Sequence, residues 1–150
     1  MIILNNATYA QSIGSNNKEF FFSSEKGRIP VKFGNLGEST QRYKVSVTKL
    51  HFDDRAVTSL LKNKNSKGKG KTLSDFYKDN KPLKIETKEL SRILNIHPGK
   101  YIELNVPVFE LKNKELNFYK ICSTQTKMES TFIFSVCLNT VVYLKERHIQ

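Results

Sequence analysis

From Arg42 to Phe52 the chain reads RYKVSVTKLHF, with Tyr43, Val45 and Val47 alternating against Arg42, Lys44, Ser46 and Thr48. A helix turns about 100° per residue and would scatter these apolar groups around its surface, whereas a strand sends successive side chains to opposite faces. The segment therefore predicts a strand with a core on one side. Past Thr48 the apolar positions move to Leu50 and Phe52, a change of phase that a β-bulge near Lys49 would accommodate, and Asp53-Asp54 closes the run.

Comparable patterns recur along the chain. Lys18–Ser23 (KEFFFS) is a compact aromatic run, and Arg28–Phe33 (RIPVKF) alternates Ile29, Val31 and Phe33 with polar positions. Pro30 has no N–H for a ladder, which predicts an edge position for that strand, and Gly34-Asn35-Leu36-Gly37 supplies a turn. Lys100–Val106, Val108–Leu111 and Leu116–Cys122 read as short strands separated by Pro107 and by residues 112–115. Thr131–Leu144 (TFIFSVCLNTVVYL) is the most apolar segment and, rich in β-branched and aromatic residues, predicts a long central strand. Thr87–Asn95 is the expected helix: Thr87 can cap, Leu90, Ile93 and Leu94 fall at i, i+3 and i+4, and Pro98-Gly99 stops the run. Residues 72–77 allow one further helical turn. Seven to nine short strands with turn signals between them predict a mainly β fold, a single sandwich of jelly-roll type or a β-barrel, with one short helix around residues 87–95. Residues 1–17, rich in Asn and Ser, are expected to be a strand and extended arm, and 18–150 the domain.

Ten Phe and six Tyr in 150 residues provide an aromatic core, although the apolar fraction is only 38%. The 25 Lys and Arg exceed the 14 Asp and Glu, for a net charge of +11. Such a balance favours anionic partners or serves solubility. Cys122 and Cys137 lie in apolar, strand-like runs, so they are expected as buried, reduced thiols; a bond between them requires neighbouring strands. The apolar start Met1–Leu4 is too short for a signal peptide, and no run approaches the ~20 apolar residues of a membrane span. The expected location is a virion or the host cytoplasm.

Catalytic readings find little support. His51, His97 and His148 are scattered, and the nearest cluster, His51 with Asp53 and Asp54, reads as a strand end followed by solvated turn aspartates. Gly70-Lys71-Thr72 echoes the close of a phosphate-binding loop, but Asn65 stands where its first glycine belongs. No enzymatic activity, catalytic residue, metal or cofactor is expected. Residues 62–71 (KNKNSKGKGK) form a basic loop whose Lys62, Lys64, Lys67, Lys69 and Lys71 can attract a phosphate backbone or remain solvated. Phe21, Tyr77, Tyr101, Phe109, Phe118 and Tyr119 are the candidate stacking or interface aromatics, because one ring of a consecutive pair on a strand must face outward.

RYKVSVTKLHF and the closing FIFSVCLNTVVYLKE resemble the first and last strands of small jelly-roll proteins of viral capsids. That resemblance implies a structural particle component whose partners are further copies of itself or other virion proteins. Pro98–Ile121 (PGKYIELNVPVFELKNKELNFYKI) is similar to the strand-turn-strand close of OB-type single-stranded-DNA-binding proteins of phages. The second resemblance implies a groove formed by Tyr101, Phe109, Phe118 and Tyr119 with the lysines of the basic loop, and nucleic acid as the partner.

Overall fold

The computed structural model describes residues 11–15, 19–22, 27–65, 73–111, 116–126 and 135–144. These form β1 (Gln11–Gly14), β2 (Glu19–Phe22), β3 (Arg28–Asn35), β4 (Gln41–His51), α1 (Asp54–Asn65), α2 (Leu73–Asp79), β5 (Lys84–Ile96), β6 (Tyr101–Pro107), β7 (Asn117–Gln125) and β8 (Ser135–Leu144). One sheet has the order β1-β3-β6 and the other β2-β8-β7-β4-β5; all pairs are antiparallel except β2 with β8. The sheets are separate layers, so the fold is a sandwich and not the alternative barrel. No described helix is long and apolar enough to cross a membrane.

The main core lies between the sheets. Ile29, Val31 and Phe33 of β3 and Val106 of β6 pack against Tyr43, Val45 and Val47 of β4, Leu94 and Ile96 of β5, and Tyr119 and Ile121 of β7. A second cluster lies on the outer face of the five-stranded sheet, at one end only. There α1 and α2 cover Phe118 and Val141 with Leu60 and Phe76, and Phe52 joins them. The Phe76 ring stacks on Phe118 with centroids 5.1 Å apart, and Phe52 meets both rings edge-on.

This second layer explains the apparent change of phase in β4. The odd-numbered face stays turned to the main core through Lys49, which is buried, while Leu50 on the even face sits under the helices. The irregularity lies between Lys44 and Ser46 instead of near Lys49. Asp53 caps α1: its Oδ1 accepts the N–H of Arg55 at 2.9 Å, and its carbonyl accepts Val57 N–H. Residues 62–65, expected in the basic loop, are the last turn of α1. The turn expected at 72–77 becomes α2, closed by Asn80, whose N–H and Nδ2 both donate to the Phe76 carbonyl.

Three further expectations are corrected. The helix expected at 87–95 is part of β5, paired with β4 from His51↔Lys84 to Gln41↔Ile96. A two-residue step along β4, from Lys44 to Ser46, faces a four-residue step along β5, from Ile93 to Glu89. The extra residues set Leu90 and Leu94 four apart, which mimics helical spacing. β3 is the middle strand of its sheet, yet Pro30 lies beyond the β1 pairing, which ends at Gly14↔Lys32, so the missing N–H falls on a locally open edge. Cys122 and Cys137 sit opposite each other on β7 and β8 and form a disulfide, with Cα atoms 4.1 Å apart. Cys137 is exposed and Cys122 half-buried on the polar part of the outer face, not in the core.

The remaining turns follow their sequences. Gly99, at φ +72°, follows Pro98 in a type II turn closed by Lys100 N–H to the His97 carbonyl, and this turn joins β5 to β6. Asn35 is fully buried: its Nδ2 donates to the Ser39 and Ile96 carbonyls and its Oδ1 accepts Gly37 N–H, so it clamps two connections together. Residues 11–14 of the expected arm are strand β1, and the Ser123 hydroxyl donates to Gln11 Oε1 across the sandwich.

Candidate interaction surface

At the end of β5 a group of charges gathers around an open hollow of about 480 Å³ lined by His51, Lys84, Glu86, Glu110 and Leu111. Lys84 Nζ lies 2.6 Å from Glu86 Oε1, and His51 Nε2 lies 3.8 Å from Glu86 Oε2. Hydrogen bonding to Lys84 first, and then to Glu110, holds the Glu86 carboxyl down to a pKa of about 2. The ligand-type atoms of His51, Glu86 and Glu110 all fall within 4.8 Å of one another, a donor set of the kind that holds a divalent cation. Lys84 already supplies positive charge to it.

The corner that carries Glu110 is fixed from beneath. Glu110 has φ +51°, in the left-handed region that a residue with a Cβ avoids. The buried Lys49 ammonium donates to its carbonyl, and the Tyr119 hydroxyl donates to the Phe109 carbonyl at 2.6 Å. Burial pushes the Tyr119 phenol well above its ordinary range, so it remains a donor. Lys88 Nζ sits 4.5 Å from the centroid of Phe109. The sequence singled out His51 but not its neighbours; Glu86 and Glu110 are brought to it by strand pairing and a chain reversal, for which no local motif exists.

β5 itself is an open edge. Ten of its 13 residues pair with β4 on one side, and among the described residues no strand pairs with the other. Most of its side chains are exposed, including Ile85 at 60%, and Leu83 just before it is 75% exposed. Large apolar groups on an unpaired strand edge mark a surface for association.

The expected aromatic groove does not assemble. Phe118 and Tyr119 are both buried, because sheet and helices cover opposite faces of β7 at that end. Tyr77 packs in the helix-covered cluster, where burial raises its phenol to about 12, and Phe109 is half-buried against Tyr119 at 6.2 Å. Tyr101 is 63% exposed, its ring against Gly34, where an added Cβ would lie 2.9 Å from the ring carbons. Lys62 is exposed on α1. The side chains of Phe21 and Lys64, and residues Lys67, Lys69 and Lys71, lie outside the described set. No family model and no curated protein matches the chain.

Proposed function

We propose that the protein is a non-enzymatic structural component of a virus or phage particle, held in place by protein–protein contacts. The observation that carries this reading is the nested strand pairing: β4 pairs with β5 in one sheet while the flanking β3 pairs with β6 in the other. A jelly roll wraps a long antiparallel ribbon so that successive strand pairs fall into alternate sheets, and the β4–β5 and β3–β6 pairs follow that alternation. The wrapping is partial, since β8 stays beside β7 and pairs with β2. Two further features support the reading. The β5 edge offers a contact surface, and the Cys122–Cys137 bond suits a particle exposed to oxidising surroundings.

The test is protein identification in particles purified from producing cells, treated with nuclease and washed in high salt. The chain is expected at a fixed ratio to the other particle proteins, and its absence from washed particles would overturn the reading. Single-stranded nucleic-acid binding is the second reading, favoured by the charge of +11 and by the exposed Tyr101 ring. It requires that a fluorescent oligonucleotide bind at micromolar protein and that affinity fall steeply between two salt concentrations.

A further inference from the structure

We infer that the free edge of β5 pairs antiparallel with β5 of a second copy of this chain, centred on Thr87. Two five-stranded sheets then join into one continuous sheet. The inference rests on the particle reading and names the contact it would use.

The edge has the length and exposure that strand addition requires. Its charges choose the partner. The chain as a whole carries +11, so two copies repel at most approaches, yet Lys84–Arg92 holds three basic and two acidic side chains in close alternation. In an antiparallel pair centred on one residue, positions equidistant from the centre face each other on the same side of the sheet. Centring on Thr87 sets Glu86 opposite Lys88 of the second copy, twice by symmetry, and Lys84 opposite Leu90. Both Glu86 and Lys88 share the core-side face, because they pair with Lys49 and Val47 of β4. Centring on Ile85 also matches Lys84 with Glu86, but β5 begins at Lys84, so only residues 84–86 of each strand would then pair. The other neighbouring centres are worse. On Glu86 the pairing opposes Glu86 to itself and Lys84 to Lys88; on Lys88 it opposes Lys88 to itself and Lys84 to Arg92; on Glu89 it opposes Glu89 to itself. Like charges directly opposite each other destabilise a strand pair. The Thr87 register therefore converts a set of edge charges that would otherwise repel a strand into a matched set.

Single cysteines introduced into the full chain test the register. At the centre, Thr87→Cys faces its own copy with Cβ atoms about 4.5–5.5 Å apart, within reach of a disulfide. Ile85→Cys and Glu89→Cys lie four residues from their own copies, about 13 Å along the strand, beyond such reach. Under mild oxidation Thr87→Cys is expected to give a covalent dimer several-fold faster than either neighbour. Lys88→Glu, which sets a like charge opposite Glu86 of the second copy, is expected to move the dimerisation midpoint in sedimentation velocity to higher concentration. A wild-type chain that stays monomeric at every concentration, or cross-linking that favours residue 85 or 89, overturns the inference. Either result alongside a chain that remains in washed particles rejects this contact and leaves the particle reading standing.

Discussion

The buried ammonium of Lys49 donates to the backbone carbonyl of Glu110, a residue 61 positions away held at φ +51°. The same Nζ lies 3.4 Å from Asn117 Oδ1 and 5.8 Å from the centre of the Tyr119 ring. A charge inside the sandwich is thus committed to fixing one chain reversal over the end of the core.

Lys49→Met keeps the length of the side chain and removes the donor from the Glu110 carbonyl. Losing the donor of this part-buried bond, together with the buried contact to Asn117 Oδ1, costs about 1–3 kcal/mol. Urea unfolding should show that loss. A change within about 0.5 kcal/mol would place the Glu110 corner under other control.

Glu86 makes stability depend on acid. Its carboxyl titrates at about 2 in the folded chain against 4.5 as the ordinary value, because Lys84 first and then Glu110 hydrogen-bond to it. A lowered folded pKa contributes stability that is complete above pH 4.5 and is lost as pH falls toward 2. Glu86→Gln should flatten the thermal midpoint across that window relative to the parent chain; parallel profiles would show that the carboxyl makes no such contribution.

Phe76 links α2 to the sheet through its stack on Phe118. Phe76→Ala should cost about 3–5 kcal/mol, whereas Ile85→Ala, at an exposed position, should stay within about 0.5 kcal/mol. Equal losses at the two positions would contradict the burial described.

The Cys122–Cys137 bond closes a short loop with a sequence separation of 15. Loops of this size add roughly 3 kcal/mol by constraining the unfolded chain. Thiol titration of the folded protein should find no free cysteine, and reduction should lower the urea midpoint by a matching amount. Two reactive thiols in the untreated protein would refute the pairing.

The fold class was legible because alternation in β3 and β4 survives burial on one face, and because the apolar run around β8 has no helical period. β5 was misread for a physical reason: its extra residues opposite Lys44–Ser46 shift Leu90 and Leu94 to a four-residue spacing, and pairing with β4 overrides that local signal. The consecutive rings Phe118-Tyr119 misled in another way. Alternation did place them on opposite faces, but helices between β4 and β5 in sequence cover the outer one. Of the charge cluster at His51, only the histidine stood out in the sequence, since Glu86 and Glu110 meet it only through tertiary pairing.

The helices thicken only one end of the five-stranded sheet, so β7 and β8 each run from a three-layered zone into a two-layered one. Around Phe118 and Val141 both faces are dry, while at Cys122 and Cys137 one face meets water. Resistance to local opening is therefore graded along single strands and not from strand to strand. The disulfide sits where that gradient runs low, as a rivet in the thin half of the plate.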